Sequence, residues 1–291
     1  MKRNSCITLR GLAAPLTFAA FILIQALGVW AFDALAALLL EIWGVTAKTL
    51  LYAPAWLQTA LASYFSLRSL VCGALGYGGV LLCARYLYKD RLHVQWRHIA
   101  LGAGIGICLS ALAFAILMPT GSVRTMKAHG VFPLAELFSF AGAAFSALSA
   151  ESLLGGVLYR ASRLRRPWLK RLVFVLLGAL LYGLSASWSF LSILSVFAMS
   201  ALCASLYEKR SFWASAAVRC FWAFGTHRIF GFSANGTPGI FFETYPVSRD
   251  WLTGGDFGLE SGLLCAVLFA AAAFIVQNLI QIPASEEKSA L

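Results

Sequence analysis

Between Ile99 and Met118 the chain runs for 20 residues without a charged side chain. As a helix rising 1.5 Å per residue, such a run spans about 30 Å, the hydrocarbon thickness of a bilayer. Inside hydrocarbon every backbone N–H and C=O must be satisfied by the protein itself, which leaves helices and closed barrels. The pattern recurs, and eight spans are read near Leu12–Phe32, Ser69–Tyr88, Ile99–Met118, Phe132–Tyr159, Leu172–Phe190, Ile193–Tyr207, Ser211–Arg228 and Leu259–Ile280. The alternating ten-residue segments of a barrel are not found. Composition agrees. Of 291 residues, 60% are hydrophobic and 12% charged, against about 25% charged in a soluble domain. The expected fold class is all-α: a polytopic membrane helical bundle of about eight transmembrane helices.

Lys2, Arg3 and Arg10 precede the first span, as in a signal peptide. No clear small-x-small cleavage site follows, so the span is read as a retained anchor. With the N-terminus cytoplasmic, the inside segments hold Lys2, Arg3, Arg10, Arg85, Lys89, Arg91, Arg97, Arg160, Arg163, Arg165, Arg166, Lys170, Arg171, Lys209, Arg210 and Lys288. The outside segments hold only Lys48, Arg68, Arg124, Lys127, Arg228 and Arg249. The positive-inside rule then gives eight spans with both termini cytoplasmic, and the expected location is the cell membrane of a bacterium. The net charge of +11 is a topology signal that points to anionic headgroups and excludes nucleic acid as the partner.

Two outer segments are long. Residues 33–68 are aromatic and broken by Asp33, Glu41, Lys48 and Pro54, which fits interfacial helices anchored by Trp30, Trp43, Tyr52, Trp56 and Tyr64, or a re-entrant hairpin. Residues 229–258 are rich in Gly, Pro and aromatics, and Phe241, Phe242, Tyr245 and Trp251 need something to pack on. The Asn235 "NGT" triplet is a chance-level glycosylation match. The seven cysteines form no C-x-x-C pair and read as small packing residues, so neither disulfides nor zinc are indicated. Gly73, Gly76, Gly102, Gly104 and Gly106 suit close helix approach.

Charges inside spans are costly and mark candidate sites. Two stand out, Glu151 and Arg219; Glu136 shares a span with Glu151 but lies near its outer end. His93, His98, His129 and His227 all lie toward loops. No histidine is available for a metal site in the membrane core, and no metal or other cofactor is expected.

The segment from Ala150 to Tyr159, "AESLLGGVLY", resembles the first motif of the CPBP intramembrane proteases, the CAAX-processing and bacteriocin-processing (Abi) group, E-E-x-x-x-R-G-x-L-Y. "YGLSA" is similar to their second motif, F-x-x-x-H, with Tyr182 as the aromatic and Ala186 at the histidine. "SFWASAAVRCFWA" is similar to the third, H-x-x-x-N, with Arg219 at the histidine and Ala223 at the asparagine. The resemblance covers roughly Phe132 to the C-terminus. It implies an N-terminal three-span region (1–131, with the outer interfacial segment 33–68) and a CPBP/Abi-like membrane domain (132–291, with the outer loop 229–258). The domain's core would be formed by helices 4–7.

The resemblance also implies that glutamates and histidines activate water and stabilise an oxyanion at a membrane-embedded peptide bond. The i,i+4 spacing of the second and third motifs sets each pair of key side chains on one helix face. This chain keeps only Glu151. Ala150 stands at the first glutamate, Gly155 at the arginine, and Ala186, Arg219 and Ala223 at the histidines and asparagine. A carboxylate beside an arginine is a poor general base, because the cation lowers its pKa. The expectation is a pseudoprotease in which Glu151 and Arg219 form a buried ion pair. Alternatively, Arg219 snorkels to the outer interface and Glu151 is protonated or wetted by a small pocket of water. Trp213, Trp222 and Tyr182 are read as packing residues. The expected function is a scaffold or regulator holding a membrane-protein or transmembrane-peptide partner. One alternative is an endopeptidase with rearranged chemistry that uses Glu151 with His227, Asp250, Asp256 or Glu260. The other is a transport or complex subunit.

Overall fold

The structure, a computed structural model, describes residues 2–42, 64–86, 92–128, 133–162, 164, 166–183, 189–232, 239–247, 250–255 and 258–279. Helices occupy all eight expected positions. They are α1 (Lys2–Ile42), α2 (Tyr64–Tyr86), α3 (Trp96–Leu117), α4 (Pro133–Glu151), α6 (Pro167–Gly183), α7 (Phe190–Lys209), α8 (Phe212–Phe224) and α10 (Leu263–Leu279). Two short helices, α5 (Tyr159–Ala161) and α9 (Asp250–Thr253), are also found among the described residues. Five helical stretches are long and apolar enough to cross a membrane: Ala14–Leu38, Ser66–Tyr86, Trp96–Leu117, Glu136–Ala161 and Phe190–Lys209. Helices α6, α8 and α10 are shorter, at 17, 13 and 17 residues.

The chain forms two compact units, residues 1–92 with 132–153, and residues 93–131 with 154–291. This partition differs from the 1–131 and 132–291 division, which rests on the resemblance.

In the first unit α2 packs between α1 and α4. Helix α1 is 41 residues long, about 60 Å of helix. The expected boundary at Phe32 is therefore too early, and the start of segment 33–68 continues the helix to Ile42. No breaker interrupts that apolar stretch. Trp43, Lys48, Tyr52, Pro54 and Trp56 lie outside the described residues. Between residues 14 and 38 most of α1 is exposed, with Leu16, Leu23, Leu27, Trp30 and Leu35 turned outward, as suits a lipid-facing helix. Asp33 accepts from the Tyr64 hydroxyl and pairs with Arg68 at 3.3 Å, tying α1 to α2. Gln25 donates to the Cys72 carbonyl at 3.3 Å. Helices α2 and α4 touch backbone to backbone, and a Cβ on Gly73 would lie 2.6 Å from the Ser146 nitrogen.

In the second unit α3 packs on α8, and α7 packs on α6, α8 and α10. The α3–α8 contact is as close as that of α2 and α4. A Cβ on Gly102 would strike the Ala214 carbonyl oxygen, and one on Gly106 would lie 2.7 Å from that of Val218. These two glycines, one helical turn apart, form a smooth strip against α8. Gly104 points elsewhere and meets nothing within 4 Å, so the expectation of a packing role fails there. It lies off the i,i+4 row.

At one end of this unit the indole of Trp213 donates to the His93 carbonyl (2.7 Å), and His98 Nδ1 lies 2.8 Å from Ser211 Oγ. At the other end lies an element missing from the sequence reading, a two-stranded antiparallel ribbon of β1 (Val123–Lys127) and β2 (Phe242–Pro246). The ribbon joins the segment after α3 to the long loop after α8. Its inner face carries Val123, Thr244 and Phe242, and the Phe242 ring lies tilted against Phe114 with centroids 5.3 Å apart. Phe230 and Phe232 also close on Phe114, at 4.6 and 6.1 Å. Phe242 thus has the packing partner expected of it, whereas Phe241, Tyr245 and Trp251 are exposed. On the outer face the Tyr245 hydroxyl donates to Glu243 at 2.8 Å, and this hydrogen bond raises the phenol's pKa above its ordinary value. Asn235 and Asp256 lie outside the described residues.

Because glycine at 102 and 106 lets two backbones touch, Gly102→Ala and Gly106→Ala are each expected to destabilise the protein by about 1–3 kcal/mol through overpacking. Gly104→Ala is expected to be neutral or slightly stabilising. Thermal unfolding in detergent reads the difference.

Candidate functional site

The segment that drew attention in the sequence is not an α-helix. Helix α4 ends at Glu151, and Ser152–Leu158 is a π-helix that gives way to α5. The stretch read as a span near Phe132–Tyr159 is helical throughout Glu136–Ala161, with its later part in π rather than α form. A π-turn closes i→i+5 bonds and is frequent at functional sites. It takes about one more residue per turn, so positions on either side lose the register that α-helical spacing would assign. A second π-helix, Gly225–Ile229, follows α8 directly. Irregular backbone therefore adjoins both the first and the third motif-like segments.

Glu151 belongs to the first unit and has no exposed surface. Ala150 beside it is 6% exposed. The serine hydroxyls around the glutamate turn back onto their own helix. Ser149 donates to the Ser146 carbonyl at 2.8 Å, and Ser152 to that of Ser149 at 3.2 Å. These bonds satisfy the hydroxyls locally, as apolar surroundings require.

Gly155, Tyr182, Arg219 and Ala223 belong to the second unit. Gly155 is buried, and a Cβ there would strike the Tyr207 ring and lie 2.8 Å from the Phe212 Cβ. An arginine side chain, which the resemblance would place at this position, has no room.

Tyr182 lies in the last turn of α6, and Arg219 is half-buried in the middle of α8. The Arg219 guanidinium stands 3.4 Å from the centre of the Tyr182 ring. A cation over an aromatic face is held by the ring quadrupole, at about 0.5–2 kcal/mol depending on desolvation. Tyr182, read from sequence as a packing residue, thus carries an electrostatic contact as well. A guanidinium stays protonated at every accessible pH and offers donors only. At the position where the resemblance puts a histidine, proton exchange with water is not available. The Ala223 methyl, one turn further along α8, can neither donate nor accept. Ala186 lies outside the described residues.

Trp222 was also read as packing, and it is 1% exposed with its ring edge-on to Phe269 at 4.7 Å. Its indole N–H donates to Glu260 Oε1 at 3.0 Å. This bond joins α8 to the 3₁₀ turn Leu259–Ser261 ahead of α10. It was not foreseen, because 38 residues separate the partners and no local pattern marks them. His227, a candidate in the rearranged-enzyme alternative, has Nδ1 2.8 Å from the Phe232 carbonyl, a contact within the turn after α8.

Comparison of the chain with models of protein families, with characterised proteins and with solved structures finds no match.

If the Arg219–Tyr182 contact is electrostatic, Tyr182→Phe is expected to leave the melting temperature nearly unchanged, while Tyr182→Leu costs about 1 kcal/mol. Equal losses in the two variants would mean that the hydroxyl, or shape alone, matters. Gly155→Arg is expected to prevent stable folding, because the Tyr207 ring and Phe212 leave no room for the side chain, read as loss of a monodisperse peak in size-exclusion chromatography.

Proposed function

We propose that this protein is a non-catalytic relative of the CPBP intramembrane proteases, an eight-span protein of the bacterial cell membrane with both termini cytoplasmic. In this reading it is a scaffold or regulator that holds a transmembrane segment of a partner where an active relative would hold substrate. The observation that carries the reading is the stacking of Arg219 on Tyr182 at 3.4 Å. Two residues assigned to separate motifs lie against each other, yet neither is a base that could activate water. The other substitutions point the same way. Gly155 is fitted to the Tyr207 ring, and Ala223 has no polar atom to offer. A π-helix at the first motif-like segment and another after the third support a binding role, since such turns recur at functional sites. The remaining three helices, α6, α8 and α10, complete the eight spans in this reading; at about 20–26 Å they would cross with local thinning of the bilayer.

The purified chain, presented with prenylated CAAX peptides and with leader-type membrane peptides, is expected to release no product. Cleavage that disappears in Glu151→Ala would overturn the reading in favour of an endopeptidase with rearranged residues. The ion pair read from sequence is part of the proposal and has its own measurement, a double-mutant cycle on thermal stability with Glu151→Gln and Arg219→Gln. A coupling of at least about 1 kcal/mol is expected for a buried charged pair. Additive losses would remove the pair from the proposal.

A further inference from the structure

The ribbon of β1 and β2 has two outer edges, and they differ in cover. In an antiparallel pair, alternate residues turn their N–H and C=O toward the partner strand and the others turn them away. The bonds at the two ends of the ladder fix which are which. Ala128 N–H donates to the Phe241 carbonyl at 3.2 Å, and Val247 N–H to that of Ser122 at 2.9 Å. With Arg124 opposite Tyr245 and Met126 opposite Glu243, Arg124 and Met126 turn their backbone groups toward β2. Those of Val123, Thr125 and Lys127 face away from it, and those of Phe242, Thr244 and Pro246 face away from β1.

The outer edge of β2 is covered. Thr244 N–H donates to the Gly231 carbonyl at 3.1 Å, and the Thr244 hydroxyl to that of Phe230 at 2.5 Å. The turn at Gly231 lies so close that a Cβ there would strike the Phe242 carbonyl oxygen, and Pro246 has no N–H to offer. The outer edge of β1 is open. Among the described residues its N–H and C=O groups have no hydrogen-bond partner, and no helix packs along it. Val123 at its start is buried, whereas Thr125 is half-buried and Lys127 exposed. An open edge is a template for a further strand. Charge then selects the strand. The two charged residues of β1, Arg124 and Lys127, are both basic and both exposed, and neither is in an ion pair among the described residues.

We propose that β1 is a docking edge for an extended, acidic segment of a protein partner, which adds to the ribbon as a third strand. Thr125 and Lys127 each offer it an N–H and a C=O. Carboxylates three residues apart on the segment fall opposite Arg124 and Lys127, one on each face of the sheet. A second copy of β1 would bring two more cations and no carboxylate onto the same short ladder, so self-pairing is disfavoured. The docking edge requires neither the protease resemblance nor a pair between Glu151 and Arg219.

The full chain in neutral detergent would be titrated with a labelled acetyl-TEVTEV-amide peptide, read by fluorescence anisotropy. Two control peptides would carry lysine for glutamate, or N-methyl groups on either set of alternate residues. The acidic peptide is expected to bind, and the lysine peptide about tenfold more weakly, as two cross-strand charge pairs change sign. One of the two N-methylation patterns should abolish binding. Residue-resolved hydrogen exchange is expected to slow at the Thr125 and Lys127 amides and to stay unchanged at Arg124 and Met126, which face β2. Thr125→Pro should keep the ribbon, because proline is tolerated where the N–H points away from the ladder, and should bind about tenfold more weakly. Arg124→Gln should lose about two- to fivefold. If Thr125→Pro does not fold, the N-methylated peptides and the exchange pattern carry the measurement. Absence of binding, equal binding in folded Thr125→Pro, or protection at Arg124 and Met126 instead, would overturn the edge. Equal binding of the lysine peptide would overturn the acidic partner. Dimerisation of the chain that is lost in Thr125→Pro would overturn a separate protein in favour of a second copy.

Discussion

An apolar helix in a bilayer gains little by exchanging lipid for another apolar helix, so what keeps two helices together is how closely and how well their surfaces meet. This chain meets that constraint with glycine. At Gly73 in the first unit, and at Gly102 and Gly106 in the second, the facing helix comes so near that a single added carbon would collide with backbone. Close backbone approach multiplies dispersion contacts, each of about 0.1–0.2 kcal/mol, without relying on water to drive association. The arrangement of α2 with α4, and of α3 with α8, follows from these strips. So does the position of the groups that α8 carries.

Many buried polar groups among the described residues find a partner close by. Several serine hydroxyls return to carbonyls of their own helix, whereas Ser195 donates to the Gly262 carbonyl at 3.2 Å. Arg219 lies over a ring, and the Trp222 indole finds a carboxylate beyond the end of α8. The contacts of Arg219 and Trp222 act between elements distant in sequence, so they fix orientation as well as solvating a polar group. The π-helix of Ser152–Leu158 belongs to the same economy. It places Gly155 under the Tyr207 ring, and Tyr207 in turn meets Tyr159, near the basic end where α6 and α7 are joined by Arg171 and Glu208.

Much of the helical plan was legible because hydrocarbon imposes it directly. A run such as Ile99–Met118 has no other stable form in lipid, and helices stand at all eight places read from hydropathy. The boundary of α1 was not legible. Between Phe32 and Ile42 the sequence offers two charged residues, Asp33 and Glu41, but no breaker, and charge alone does not end a helix. The β-ribbon was hidden for a different reason. Val123–Lys127 and Phe242–Pro246 are too short to announce themselves, and their pairing across more than a hundred residues depends on the cluster around Phe114. At the candidate site the residues themselves were legible, while their partners, Tyr182 for Arg219 and Glu260 for Trp222, were not.

What the sequence determined by itself is therefore the environment and the inventory: a helical chain with runs apolar enough to cross a membrane, basic between those runs, with Glu151 and Arg219 as isolated charges in apolar segments. Those properties are local, set by the cost of moving each residue type into hydrocarbon. The tertiary structure alone decided that Gly102 and Gly106 pack while Gly104 does not, that a π-turn replaces α-helix after Glu151, and that Arg219 rests on Tyr182. These are decided by distances of a few ångströms between segments far apart in the chain. Contact forces are that short-ranged, and only the folded backbone sets such distances.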